Sequence, residues 1–133
     1  MTPEEVALAF VGAINSTRVE DLAKLMTPDH VFIDSDGTRV CGREKMRQGW
    51  TEYFAMVSDY HIEVAEKFVR GDAVVLLGTA TGTFHENGVL KPGNRWSVPA
   101  AWRAVIDGDK VAAWQVYVNV EPMLAIMRRL GLV

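Results

Sequence analysis

The hydrophobic periodicity of this chain shifts near Tyr60, from mostly helical to mostly alternating, and that shift decides its class. Thr2-Pro3-Glu4-Glu5 is a helix start, with Thr2 as cap, Pro3 in the first turn and Glu5 completing a capping box. Val6, Phe10 and Ile14 continue it as an apolar stripe that Asn15-Ser16 breaks. Thr17-Arg18-Val19-Glu20 reads as a second capping box. Leu22, Leu25 and Met26 line a shorter helix that Thr27-Pro28-Asp29 ends. A strand is expected at about residues 30–35, and Gly42 to Val57 returns to helix, with Met46, Trp50, Tyr53 and Phe54 on one side.

From Tyr60 onward the strands follow one another. Tyr60, Ile62, Val64 and Phe68 alternate with His61, Glu63 and Lys67, which predicts one buried face. Arg70-Gly71-Asp72 is a turn, and Ala73 to Phe84 a strand in which Gly78 and Gly82 mark a bend or bulge. Asn87-Gly88 signals a hairpin, and Lys91-Pro92-Gly93-Asn94 predicts an irregular link. Arg95 to Ile106 and Lys110 to Val120 are the last strands, joined at Asp107-Gly108-Asp109. Met123 to Leu130 has helical spacing. Three helices before a run of antiparallel strands define an α+β class.

The bulk properties narrow the partners. A chain of 133 residues suits a single domain, 1–133, with a core that needs no staples. The net charge is -3 and no basic run exists, which argues against nucleic acid. No apolar stretch approaches a membrane span. Cys41 is the only cysteine, so no internal disulfide forms. The acidic Met1-Thr2-Pro3-Glu4-Glu5 is unlike a secretory signal, and the expectation is a soluble, cytoplasmic protein.

Several local patterns, taken together, carry a resemblance. They are the strand ending at Asp34, the Gly42-Arg43-Glu44 helix start, the Asp107-Gly108-Asp109-Lys110-Val111 hairpin and the aromatic last strand running into Asn119-Val120-Glu121-Pro122. In this order the chain resembles the nuclear transport factor 2-like superfamily, in its SnoaL-like and ketosteroid-isomerase-like branches. The resemblance implies a cone: three N-terminal helices packed on a curved antiparallel sheet around a small-molecule pocket. It also implies a homodimer through the convex face of the sheet.

The resemblance makes Asp34 the general base. An apolar surround disfavours a charged carboxyl, so such a group exchanges protons nearer neutrality. The plainer reading is an aspartate that bonds the turn Ser35-Asp36-Gly37, with Asp36 the turn residue proper. The ketosteroid isomerases pair their base with an oxyanion hole of hydroxyl and carboxyl donors. The corresponding positions fall at Phe10, near Met26 and Trp50, and at Pro99, Ala100 or Ala101, none of which offers such a group. Ketosteroid isomerisation in its known form is therefore rejected. The cyclase carboxylate falls at about Gln115. The epoxide hydrolase aspartate falls at Asn119, and its partners near Leu77 to Thr79 are missing.

Gln115, Tyr117 and Asn119 share one face of the last strand; Trp114, Val116 and Val118 share the other. A polar row is ordinarily the solvent face. The resemblance instead turns it to the pocket, with Tyr117 as oxyanion donor, Gln115 and Asn119 as ligand contacts, and the Trp114 row toward a partner chain. Trp50, Tyr53, Trp102 and Phe10 are the expected ring contacts; plain core is the alternative for such spacing. His30, His61 and His85 are scattered without metal-ligand spacing, so no metal and no cofactor are expected. The expected ligand is a small apolar, carbonyl-bearing or polycyclic molecule. The expected activity is isomerase-, cyclase- or lyase-like acid/base chemistry, with a non-catalytic binding protein or a dimeric assembly module as the alternatives.

Overall fold

The computed structural model describes residues 1–133. Its elements run α1 Pro3–Asn15, α2 Val19–Lys24, β1 Met26–Ile33, β2 Arg39–Cys41, α3 Arg43–Met56, β3 His61–Arg70, β4 Ala73–Glu86, β5 Val89–Asp107, β6 Lys110–Val118 and α4 Glu121–Arg129. The strands form one curved sheet in the order β2-β1-β6-β5-β4-β3, and the helices pack against its concave face. Every neighbouring pair is antiparallel except β1 with β6, which run parallel.

The α1 capping box forms as the sequence predicts. Thr2 Oγ1 accepts from the Glu5 amide at 3.2 Å, and Glu5 Oε1 accepts from the Thr2 amide at 3.1 Å. At its far end Asn15 both donates to Ile62 O (2.9 Å) and accepts from Ile62 N (2.8 Å), which fastens the helix to β3. The second capping box does not form. Thr17 takes a left-handed conformation (φ 53) to reverse the chain, and its hydroxyl bonds Ser16 O, so Arg18 caps α2 without a side-chain bond.

Other departures have local causes. Thr27-Pro28-Asp29 lies inside β1 rather than ending a helix, because a residue before proline prefers an extended backbone. The amide that Pro28 lacks is accommodated where β1–β6 pairing is interrupted between Met26 and Val31. The strand β2, unannounced in the sequence, pairs with β1 through a tight turn. There the Asp34 amide donates to Thr38 O (2.8 Å) and Gly37 N donates to Asp34 O (2.9 Å). Lys91-Pro92-Gly93-Asn94, expected to be irregular, belongs to β5.

A bulge in β3 has the widest effect. The register slips between Val64 and Glu66, so one extra residue inverts every side chain after it. Ile62 is buried as expected, but Phe68 emerges on the convex face, 53% exposed. Opposite the bulge stands Gly78, where an added β carbon would lie 1.9 Å from Glu63 O. No side chain fits there, and the glycine of the sequence pattern is the reason the strands can close.

The even-numbered residues of β5, from Asn94 to Ile106, are buried, and Trp96, Trp102 and Ala104 among them point inward. Val74 and Leu76 of β4 and Trp114 of β6 join them, against Phe10 and Ile14 of α1 and Trp50 and Phe54 of α3. No helix is long and apolar enough to cross a membrane.

Candidate functional site

Between the concave sheet and α3 the packing stops short, leaving a cavity of about 580 Å³. This is a size typical of small-molecule sites. One wall is α3, with Met46, Gly49, Trp50, Tyr53 and Met56. The sheet supplies Phe32, Ala80, Phe84, Trp96, Ala100, Trp102 and Trp114. Val120 and the α4 residues Met123, Leu124 and Met127 cover the remaining side. All four tryptophans of the chain line this space.

Some of the rings meet edge to face, while Trp50 is tilted by only 32° to Phe54 and 38° to Tyr60. Tyr53 meets Trp50 at 87° and Tyr60 at 88°, with centroids 6.1 and 5.2 Å apart. Phe32 meets Trp50 at 72°. Edge-to-face contacts of this kind are favourable for quadrupolar rings, and they build a box rather than a stack. Burial pushes the Tyr53 phenol well above its ordinary range. The charges of Tyr60, Asp34 and Asp59 push the same way. Burial does the same at Tyr60. Both phenols are therefore neutral donors at physiological pH, not bases.

The charged part of the lining is confined to the β1–β2 turn, where Asp34 and Asp36 flank Ser35. Asp34 thus combines the two readings of the sequence. Its Oδ1 accepts from the Ser35 amide at 2.7 Å, and its side chain borders the cavity. It stands exposed to solvent, not enclosed in apolar surroundings. Asp36 accepts from the Thr38 amide at 2.8 Å; that bond holds its carboxyl below the usual range.

The last strand faces opposite to the expectation. Trp114, Val116 and Val118 line the cavity, while Gln115, Tyr117 and Asn119 lie on the other face. Tyr117 is 52% exposed, and Asn119 Oδ1 accepts from the Glu121 amide as α4 begins. The register explains the facing: Trp114 pairs with Ala104, and Val116 with Trp102, both buried. The ordinary rule, apolar row inward, holds. Phe10 is also displaced from its expected role. It is fully buried behind Trp114, ring centroids 4.8 Å apart, and does not line the cavity. Trp50, Tyr53 and Trp102 do line it, as expected.

Phe32, Tyr60, Trp114 and the α4 residues were not singled out as lining. Their signals were available: the Trp114-Val116-Val118 alternation, and the apolar spacing of Met123, Leu124 and Met127. No group of His, Cys, Asp and Glu side chains is placed to hold a metal ion. His61 is exposed at the sheet edge, and Ser58 Oγ lies 2.7 Å from His85 Nε2 on the surface.

The fold matches that of known proteins. The SnoaL-like domain model matches residues 7–114, and the chain belongs to that family, within the nuclear transport factor 2-like superfamily. Among solved structures, a protein of ketosteroid isomerase-like fold from Catenulispora acidiphila, in complex with trimethylamine, is 23% identical with a TM-score of 0.79. The match covers 91% of this chain and 90% of that one. A proposed SnoaL-like polyketide cyclase from Shewanella denitrificans is 17% identical, TM-score 0.81, over 96% and 97% of the two chains. IdmH, a proposed polyketide cyclase from Streptomyces antibioticus, is 22% identical, TM-score 0.78, over 96% and 99%. At these identities the likeness is one of fold. No curated protein matches the sequence.

Proposed function

We propose that the chain binds one ring-bearing, largely apolar small molecule in its cone and moves a proton on it at the rim. The observation that carries the reading is the composition of the cavity. Of its 23 lining residues, 19 are hydrophobic, and its charged side chains collect at one end. Such a space orients a molecule by shape and presents only its outer end to chemistry.

In this reading Asp34 is the base. Tyr53, half-buried and neutral, is the donor that replaces Tyr117 in steadying a developing oxyanion. The fold supports this use, since the related structures include proposed cyclases and a protein that holds a small amine. The test is carbon–hydrogen exchange on a bicyclic ketone, 2-tetralone, in deuterated buffer, followed by proton NMR. The expected result is exchange above the buffer rate that Asp34→Asn abolishes while affinity persists. Exchange at the same rate in that variant would remove Asp34 from the mechanism.

The exposure of Asp34 favours a second reading, in which the chain binds the molecule and performs no chemistry. Affinity without any exchange above background identifies that case.

The same proposal includes a homodimer through the convex face. Its support is the cross-strand row Glu66, Leu77, Ala101 and Tyr117, which puts apolar and aromatic area on a face no helix covers. Leu77→Asp is expected to shift sedimentation from dimer to monomer; an unchanged species would place the interface elsewhere.

A further inference from the structure

We infer that the cone selects cations: its ligand carries a protonated or quaternary amine, seated in the aromatic box beside Asp34 and Asp36. The inference rests on the reading of the cone as a small-molecule cavity, and not on the proton-transfer step.

The charge around the cavity has one sign. Asp34 and Asp36 are the charged residues of the lining, and no lysine, arginine or histidine is among it. Neither carboxylate forms a salt bridge. Each uses Oδ1 on a backbone amide and leaves Oδ2 without a bond. None of the arginines on the two wall helices lines the cavity, and Arg43 lies 3.5 Å from Glu44. Arg47 pairs with Glu20 and Glu44, Arg128 with Glu121, and Arg129 donates to Gly93 O and Asn94 Oδ1. An anionic ligand would therefore meet two uncompensated carboxylates and no counter-charge. Low-dielectric walls sharpen that discrimination.

The aromatic lining adds a second attraction for a cation. A cation is attracted to the face of an aromatic ring, most strongly to tryptophan, and more so when desolvated. Trp50, Tyr53 and Tyr60 form one cluster in the lining, with Tyr53 near-perpendicular to both neighbours and Trp50 tilted by 38° to Tyr60; the Asp34 charge is felt at the Tyr53 phenol. Aromatic residues line the cavity both from α3 and from the sheet, so a bound ammonium group would meet rings on more than one side. A box of rings and a free acidic rim favour the same charge.

The test compares three probes of one shape: benzyltrimethylammonium, its neutral isostere neopentylbenzene, and the anion phenylacetate. Affinities are read by calorimetry and by tryptophan emission, since every tryptophan of the chain lines the cavity. The expected order is cation, neutral, anion, with the cation about tenfold tighter than its neutral isostere, in the range of a desolvated cation–π contact plus an ion pair. The cation's advantage should shrink in high salt and fall to about threefold or less in Asp34→Asn/Asp36→Asn, where only the rings remain. A neutral isostere that binds as tightly as the cation would overturn the inference and leave the cavity reading intact. A cation preference unmoved by both salt and the double variant would overturn the role of the rim. Binding of none of the three would overturn the cavity reading as well.

Discussion

A β carbon on Gly82 would stand 2.7 Å from Cζ2 of Trp96 and 2.5 Å from Cγ1 of Val57. The Trp96 indole occupies the room that a side chain at position 82 would need, and this is how a wall residue of β5 settles against β4. Gly82→Ala therefore forces a buried indole or the end of α3 to move. Overpacking of this kind costs about 1–3 kcal/mol. Urea denaturation should show that loss together with altered tryptophan emission; an unchanged midpoint would mean that the site relaxes freely.

Gly49 offers the opposite case on the other wall. It sits within α3, and an added β carbon would meet only the end of the Met46 side chain, Sδ at 3.8 Å and Cε at 3.9 Å, ordinary contacts. Gly49→Ala removes backbone freedom from the unfolded chain without strain. It should stabilise by about 0.4–1 kcal/mol while trimming the cavity by a methyl group. Thermal and urea unfolding check the sign.

His30 gives the pH dependence. It is fully buried, its Nδ1 lies 2.7 Å from Val111 O, and its ring packs 5.9 Å from that of Phe10. Burial lowers its pKa, outweighing the Val111 bond and the Asp29 charge, which both raise it. Below about pH 6.5, the ordinary histidine value, the unfolded chain binds a proton that the folded one resists. The His30 contribution to stability is complete above that pH and is lost as pH falls through the lowered folded value. Urea midpoints from pH 7.5 to 5 should fall for the wild type and fall less for His30→Gln. Parallel curves would assign the acid sensitivity to other groups.

The facing of β6 is tested by a pair of variants. Trp114→Ala empties a fully buried site against Phe10 and should cost about 3–5 kcal/mol. Tyr117→Phe removes an exposed hydroxyl and should change stability by less than about 0.5 kcal/mol, with ligand affinity unchanged. Equal effects on ligand binding would return Tyr117 to the cavity.

The helix α4 covers the cavity with Met123, Leu124 and Met127, yet none of its residues is fully buried. Its link to the body includes Arg129, which donates to Gly93 O at 2.9 Å and Asn94 Oδ1 at 2.8 Å. Arg129→Ala should speed ligand dissociation more than it weakens folding, as measured by stopped-flow tryptophan emission. An unchanged dissociation rate would show that α4 does not gate entry.

Much of this architecture was legible in the residues. The helix stripes of α1 and α3, the Thr2–Glu5 capping box and the hairpin at Asn87-Gly88 each act locally, so sequence order exposes them. What escaped depends on pairing across the chain. The β3 bulge turned Phe68 outward through a register slip opposite Gly78, and nothing within β3 announces it. Thr27-Pro28-Asp29 lies inside a strand whose pairings with β6, at Met26 and from Val31 onward, bracket it across the chain. The facing of Gln115, Tyr117 and Asn119 failed for another reason: analogy with related active sites outweighed the plain amphipathic pattern, which was right. Asp34 was placed at the cavity, but its exposure depends on the turn to β2, a strand of Arg39–Cys41 too short to carry a periodic signal.

The central claim is that one small molecule occupies the space enclosed by the four tryptophans. Its most direct test is calorimetric titration of 2-tetralone into the wild type and into Ala100→Trp, a variant that narrows the cavity from its floor. The account predicts one molecule bound per chain, a coincident change in tryptophan emission, and a loss of affinity of about tenfold or more in the folded variant. Undiminished binding to Ala100→Trp, or no binding to the wild type, would contradict it.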